Sequence, residues 1–227
     1  MKVAALIPVK DFRNAKHRLS PALREAERER LAEAMFRDVL RRVLAAAGLA
    51  ATYVVTGDQR VAEIARSLGA RVLRESAERG ETEAVNFARS EARRAGHEAV
   101  LILPADLPLL RTEDVEALLA SLPTERPAPF ALLVPSHDRL GTNALLLAPP
   151  EIIELRFGYD SFNYHLEQIS VRGLPPRFVE NERLALDIDE PRDLERFLER
   201  GDADGETSRV VLEMLGEPRR ALLGGIR

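Results

Sequence analysis

Three aspartates in this sequence could together hold a divalent cation. Asp106 follows the apolar run 100–103 after a Pro-Ala pair, and Pro108 stops that run from continuing as a strand. Asp187 and Asp189 are two residues apart, so a strand there would turn both carboxylates to one side. Mg²⁺ prefers such oxygen ligands and commonly keeps substrate phosphates in its shell. The acids therefore predict a Mg²⁺ site, although Asp106 could instead shape a turn and Asp189 could cap a helix.

A basic loop follows the first apolar segment of the chain. It carries Lys10, Arg13, Lys16 and Arg18. Cations placed after the first strand of an α/β sheet can stabilise charge on phosphoryl groups. The loop is therefore a candidate site for the phosphates of a nucleotide, and the alternative is a basic loop that is simply solvated.

Small polar residues mark two candidate anion sites. Gly141, Thr142 and Asn143 end a polar loop, where a glycine lets a ligand approach the backbone and the next two side chains offer short polar groups. Gly158 and Ser161 precede a predicted helix, whose first N–H groups can bind an anion. A plain hairpin turn and an ordinary helix cap are the respective alternatives.

The elements that must position these residues alternate between apolar strands and amphipathic helices. Strands are predicted at 3–9, 51–56, 70–74, 100–103, 130–135, 143–147, 175–179 and 184–188. Helices are predicted after Ser20-Pro21, over 61–68 and 83–95, from 112, after 161, from 191 and, as one or two turns, within 210–215. The uninterrupted run 100–103 is typical of a strand at the centre of a parallel sheet, whose carboxyl edge binds ligands. This order predicts an α/β three-layer sandwich with a mostly parallel central sheet.

The composition is that of an ordinary globular protein. The chain has 227 residues, of which 45% are hydrophobic and 31% charged, with a formal net charge of −4. Interspersed charges argue against a nucleic-acid-binding surface, and no segment approaches the ~18 apolar residues of a membrane span. The absence of cysteine excludes disulfides and thiolate chemistry, and the four histidines share no zinc-ligand spacing. No signal-peptide pattern begins the chain, so a cytoplasmic location is expected.

A set of short motifs follows in order along the chain. Its members are Ile7-Pro8-Val9-Lys10, Ala15-Lys16, Arg18-Leu19-Ser20, Pro104-Ala105-Asp106-Leu107-Pro108-Leu109, Gly141-Thr142-Asn143, Phe157-Gly158, Ser161-Phe162 and Leu186-Asp187-Ile188-Asp189-Glu190-Pro191. Single motifs of this kind recur across nucleotidyltransferases with a glycosyltransferase-A-like sheet. The ordered set is more specific, and it resembles the 2-phospho-L-lactate and phosphoenolpyruvate guanylyltransferases of coenzyme F-420 biosynthesis.

The resemblance implies a glycosyltransferase-A-like nucleotidyltransferase fold and a Mg²⁺-dependent transfer of GMP from GTP to phosphoenolpyruvate, with release of pyrophosphate. The alternative acceptor is 2-phospho-L-lactate. The product, enolpyruvyl-diphospho-guanosine, would pass to a downstream deazaflavin transferase, and a homodimer is left open. The expected nucleotidyltransferase domain spans residues 1–200, and the expected polar tail spans residues 201–227 and holds at most a short helix.

The resemblance also implies roles for particular residues. Asp106 and an acid of the Asp187/Asp189 pair would hold Mg²⁺, and Asp106, Lys10 and Lys16 would be catalytic. The acceptor would be bound by Thr142, Gly158 and Ser161, and the nucleotide by Pro8, Lys10, Lys16 and Asp58. Because the acceptor phosphate is already an anion, no general base is required, and positioning and charge neutralisation carry the catalysis.

One segment departs from the family pattern. Many members have Gly-Leu-Asn ahead of the helix that follows the third strand, whereas this chain has Gly80-Glu81-Thr82, with Asn86 further along. The departure leaves the guanine preference open more than the type of reaction. The alternatives are a related nucleotidyltransferase with another acceptor and a nucleotide-binding regulator without catalytic activity.

Overall fold

A computed structural model describes residues 1–75, 80–123, 128–200 and 205–215. The loop predicted over 75–82 and the expected tail after residue 200 lie partly outside these residues. The strands are β1 (Val3–Pro8), β2 (Leu49–Thr56), β3 (Arg71–Arg74), β4 (Ala99–Ile102), β5 (Phe130–Pro135) and β6 (Thr142–Ala148). The helices are α1 (Glu25–Ala45), α2 (Gln59–Leu68), α3 (Glu81–Arg94), α4 (Thr112–Ala120), α5 (Ser161–Val171), α6 (Pro191–Arg200) and α7 (Glu206–Leu215).

The strands form one sheet in the order β3-β2-β1-β4-β6-β5. The pairs β3–β2, β2–β1 and β1–β4 are parallel, whereas β6 runs antiparallel to both β4 and β5. Alternate residues of β1 enter different cores, since Ala5 and Ile7 face one helical layer and Ala4 and Leu6 face the other. Both faces of the sheet are therefore covered, and the predicted three-layer sandwich is confirmed.

The sheet topology brings distant parts of the chain to one edge. β1 and β4 are parallel neighbours, so the basic loop after Pro8 and the segment after Ile102 leave the sheet side by side. Because β6 is antiparallel to β4, its first residue, Thr142, lies near the edge where β4 ends. This edge collects the candidate residues of the basic loop, the Asp106 segment and the start of β6.

Two predicted strands are wrong. Residues 184–188 form no strand, and residues 175–179 contribute only an isolated parallel bridge between Phe178 and Leu133 of β5. The segment that carries Asp187 and Asp189 is instead irregular and is held by bonds to other parts of the chain. One of them joins the Ile188 N–H to the Asp106 carbonyl at 3.3 Å.

Helices differ from the prediction at both ends of the chain. A 3₁₀ turn over His17–Leu19 precedes α1, which begins at Glu25 and not directly after Ser20-Pro21. Near the other end, α7 is a full ten-residue helix. The Asp38 carboxylate accepts the N–H groups of Glu206 and Thr207 at 3.0 and 2.8 Å, and this cap fixes α7 on α1. The expected tail thus contains a helix with a buried face.

Across the described part of the chain, no helix is both long and apolar enough to span a bilayer.

Candidate active site

Two compartments open at the carboxyl edge of the sheet. The first has a volume of about 650 Å³ and is lined by the basic loop, the end of β1, the middle of α1 and the start of α3. The second has about 430 Å³ and is lined by the β5–β6 loop, the segment before α5 and the segment that joins residue 187 to α6. Four residues line both compartments, and they are Glu81, Pro104, Asp106 and Asp189. Asp106 and Asp189, two of the three acids expected at the reaction centre, thus lie on the border between the two compartments, and Asp187 lines only the second.

Lys16, which lines the first compartment, joins two of the border acids. Its Nζ donates to Asp106 Oδ2 at 2.5 Å and to Asp189 Oδ1 at 2.7 Å. The Lys16 side chain is only 9% exposed, whereas those of Asp106 and Asp189 are 25% and 43% exposed. Burial disfavours the charged ammonium, but the two carboxylates hold the pKa of Lys16 well above its ordinary value. Lys16 therefore remains a cation between two acids.

The acids on and beside the border repel one another. Burial raises the pKa of Asp187 above its ordinary value, and the charge of Asp106 adds to this effect. Burial also disfavours the ionised form of Asp189, but Lys16 holds the pKa of that carboxyl below its ordinary value. Asp106 Oδ1 is buried and accepts no hydrogen bond from the described residues. The site has more carboxylates than Lys16 alone can neutralise, which favours a further cation.

The described residues do not form a complete protein cage for such a cation. Within the ranges that the structure covers, no group of three or more His, Cys, Asp or Glu side chains is arranged to hold a metal ion. Asp187 Oδ1 instead accepts a bond from Asn143 Nδ2 at 3.0 Å. Mg²⁺ is commonly bound through one or two carboxylates, with water and substrate phosphates as the remaining ligands. The donor set on the border fits that pattern.

The expected acceptor residues meet in the second compartment. Thr142 and Ser161 are almost fully buried, and Ser161 Oγ donates to Thr142 Oγ1 at 3.3 Å. Gly158 adopts a φ of 105°, which favours glycine, and lines the same compartment. The helix-cap alternative does not hold, because Asp160 precedes α5 without a side-chain bond to its first N–H groups and Ser161 is the first residue of the helix itself. The compartment thus places the Thr142 hydroxyl beside the start of α5, in a position to contact an anion.

The residues expected to bind the nucleotide are only partly brought together. Pro8, Lys10 and Lys16 line the first compartment. Asp58 does not line it, since its carboxylate accepts the Val61 N–H at 2.9 Å and caps α2. The nucleotide-binding role of Asp58 therefore stays a prediction, while a structural role is visible. Gly141 packs against Ser136, whose Oγ accepts the Gly141 N–H at 2.7 Å, so this glycine shapes the hairpin.

Two residues of the site were missed by sequence reasoning. Glu81 begins α3 on the border, where burial raises its pKa to about 7 and the charges of Asp106 and Asp189 add to this effect. His165 is completely buried behind Thr142. In the sequence, Glu81 is indistinguishable from an ordinary first-turn acid, and a lone histidine at an apolar helix face carries no functional pattern.

Comparison of the sequence with known proteins identifies the family of this chain. Residues 3–217 match the model of the family described as guanylyl transferase CofC like. The chain belongs to this family. It is 42% identical over 197 residues to the phosphoenolpyruvate guanylyltransferase of Rubrobacter xylanophilus, with 87% of this chain and 94% of the relative covered. It is 35% identical over 219 residues to the 2-phospho-L-lactate guanylyltransferase of Methanothermobacter thermautotrophicus, with 95% and 92% covered.

Solved structures show the same fold at low sequence identity. The chain is similar to a putative nucleotide-diphospho-sugar transferase from Desulfovibrio desulfuricans G20, with a TM-score of 0.78 and 19% identity. The match covers 99% of this chain and 98% of that protein. The nucleotidyltransferase fold that the motifs implied is thus confirmed.

Proposed function

We propose that this chain transfers GMP from GTP to the phosphate of phosphoenolpyruvate and releases pyrophosphate. The observation that carries the proposal is the position of Asp106 and Asp189 on the border between two compartments of the cleft. A nucleotidyl transfer brings two polyanions together. The acids between the two compartments, with the lysine that bridges them, are suited to hold a divalent cation between these polyanions. The names of family relatives supply the guanylyl donor and the phosphoenolpyruvate acceptor.

The larger compartment suits the nucleotide. Its walls combine apolar side chains, among them Val9, Met35 and Ala84, with the cationic Lys10. An apolar surface can accept a base, and a lysine beside it can neutralise phosphate charge. The smaller compartment suits the three-carbon acid, because Thr142 and Ser161 offer hydroxyl groups beside the start of α5.

Magnesium fits the donor set of the border. We infer that Asp106, with Asp187 or Asp189, would hold Mg²⁺, because Asp106 Oδ1 is buried without a donor among the described residues and because burial and the neighbouring acids raise the pKa of Asp187. When bound, Mg²⁺ would neutralise phosphate charge during transfer. Lys16 holds Asp106 and Asp189 in place through its two bonds. No side chain has to remove a proton, since the acceptor phosphate is ionised at neutral pH.

Pyrophosphate release tests this proposal. The protein is incubated with GTP and Mg²⁺, and phosphoenolpyruvate, 2-phospho-L-lactate and 3-phospho-D-glycerate are supplied in parallel, since relatives at 35–36% identity are named for the latter two acids. The downstream deazaflavin transferase is included to consume an unstable product. We expect release with phosphoenolpyruvate, and little when CTP replaces GTP. Folded protein that releases pyrophosphate with none of the three acids would contradict the proposal.

A further inference from the structure

A buried histidine lies directly behind the hydroxyl groups of the second compartment. His165 Nδ1 is 3.0 Å from Thr142 Oγ1, and His165 Nε2 accepts the backbone N–H of Arg156 at 3.2 Å. The imidazole has no exposure to solvent. Its hydrogen bond toward the compartment is the one to Thr142, which itself lines that space.

The hydrogen-bond partners fix the tautomer of this imidazole. A backbone N–H can only donate, so His165 Nε2, which faces the Arg156 amide, has no proton. Burial lowers the pKa of His165 to about 3, and the nearby cations Arg89 and Arg156 contribute, so the ring is neutral. A neutral imidazole carries one proton, and here it is on Nδ1. His165 therefore donates to Thr142 Oγ1.

This donation determines what Thr142 can offer a ligand. Thr142 Oγ1 accepts from His165 Nδ1 and also from Ser161 Oγ, at 3.0 and 3.3 Å. A hydroxyl oxygen has two lone pairs, and both are then occupied. The remaining group is the hydroxyl hydrogen, which can only donate to a further acceptor. Thr142 lines the second compartment, so that acceptor is an anion or another lone pair held there.

We propose that His165 is a positioning residue that orients the Thr142 hydroxyl as a donor toward the phosphate of the acceptor substrate. The inference rests on the proposed function, because the phosphoacid is the ligand assigned to this compartment. A donor oriented before the substrate arrives loses no rotational freedom on binding and does not compete with an alternative bond. His165 itself touches no substrate and acts through Thr142.

The surroundings of the imidazole prevent it from turning over. The rings of Phe157 and Tyr164 meet it edge-on, with centroids at 5.4 and 5.8 Å. The Arg156 guanidinium lies over the Tyr164 ring at 4.2 Å. The buried Arg89 donates to the Ile153 carbonyl at 2.9 Å and anchors the segment that carries Arg156. The amide that sets the tautomer is thus itself held in place.

Two substitutions separate orientation from packing. His165→Asn keeps an amide donor near the position of Nδ1, whereas His165→Gln keeps an acceptor near Nε2 but has no donor for Thr142. We expect the KM for phosphoenolpyruvate to rise about tenfold or more in His165→Gln and by less than about threefold in His165→Asn. The KM for GTP stays unchanged in both. A purely structural role would give equal changes in the two variants and would overturn the inference.

Two further measurements make the test independent of folding. Nitrogen chemical shifts of labelled histidine should show His165 neutral and protonated on Nδ1, and a proton on Nε2 would overturn the inference. In a protein that already carries Thr142→Val, adding His165→Gln should not raise the acceptor KM further, because the Thr142 hydroxyl through which His165 acts is absent. Wild-type protein that transfers GMP to no acid would refute the proposed function. An active wild type with equal Asn and Gln variants would refute only the role of His165.

Discussion

Lys16 sets the charge balance of the cleft. Its backbone has a φ of 57°, in the left-handed region that residues other than glycine rarely adopt. This conformation accompanies two charge-assisted bonds, to Asp106 and Asp189, from a nearly buried ammonium. The sequence suggested that Lys16 would face the phosphates of GTP. The structure shows it bridging the acids, so its contact with phosphate stays a prediction.

Ser161 gives the most direct test of the second compartment. Its hydroxyl is 2% exposed and donates to Thr142. We expect Ser161→Ala to raise the KM for the acceptor about tenfold, because the bond that helps to orient the Thr142 hydroxyl is lost, and to leave the KM for GTP unchanged. Steady-state kinetics with each substrate varied in turn measures both. Ser170→Ala, on the exposed side of the same helix, is the control and should change neither value. An unchanged acceptor KM in Ser161→Ala would remove Ser161 from the site.

Glu81 should make the stability of the metal-free protein depend on pH. Its pKa is raised from 4.5 to about 7, so the folded state binds a proton that the unfolded state releases between these values. Stability contributed by that proton is present at low pH and is lost as the pH rises through about 7. Glu81→Gln should therefore be more stable than wild type at pH ~8, by about 1–2 kcal/mol after allowance for partial exposure, and the difference should shrink near pH ~5.

Urea unfolding in the presence of a chelator, at several pH values, measures this difference. The control is Glu83→Gln, because Glu83 is exposed on the same helix two residues further on. It should follow the wild-type pH dependence. If Glu81→Gln also follows the wild-type pH dependence, burial and the neighbouring acids do not disfavour the ionised form of Glu81, and its raised pKa is refuted.

At the scale of elements, the irregular segment 181–189 decides whether the acids meet. Asp114 of α4 is almost fully buried and accepts bonds from Asn181 Nδ2 and Arg183 Nε, both at 2.8 Å. Asn143 Nδ2 donates to the Leu184 carbonyl at 2.9 Å. These bonds replace the ladder of a strand, and they bring the following acids to the sheet edge.

Loss of the bonds between Arg183 and Asp114 should lower the stability of the protein and raise its Mg²⁺ requirement, although neither residue lies on the border. Arg183→Met leaves the buried Asp114 carboxylate with fewer partners, which we expect to cost about 1–3 kcal/mol of unfolding free energy. The Mg²⁺ concentration for half-maximal activity should rise severalfold, because the acid-bearing segment is less well held. Arg200→Met, which removes a surface pair with Glu182 of the same segment, is the control and should change both quantities little. Equal effects in the two variants would contradict the anchoring role.

Local patterns predicted the elements that are defined by their own residues. The apolar run before Asp106 became β4, and the hairpin loop ending at Thr142 lies where expected. The alternation of residues around Asp187 predicts a strand, but the path of this segment depends on bonds to Asp114 and Asn143, far away in the chain. Burial of Glu81 and His165 likewise arises only when separate elements pack together. Contacts between residues that are far apart in the chain cannot be recognised from a local sequence pattern.

In the molecule as a whole, one sheet edge brings together the candidate site residues. The parallel pair β1 and β4 places the basic loop beside Asp106, and the reversed direction of β6 brings Thr142 to the same edge. Helix α7 packs against α1, because its buried residues share a core cluster with Leu31 and Met35 of α1. Met35 also lines the first compartment, so the packing of α7 supports a wall of the cleft.

The most direct test of the account follows the α-phosphorus of GTP. Labelled GTP is incubated with the protein, Mg²⁺ and phosphoenolpyruvate, and the products are separated. Because the acids lie on the border of the two compartments, the label should appear in a species that contains both guanosine and the three-carbon acid. Asp106→Asn, matched in size, should form none of it while remaining folded. Label that stays in GTP, or that appears only as free GMP, with wild-type protein and all three acids would contradict the proposed transfer of GMP.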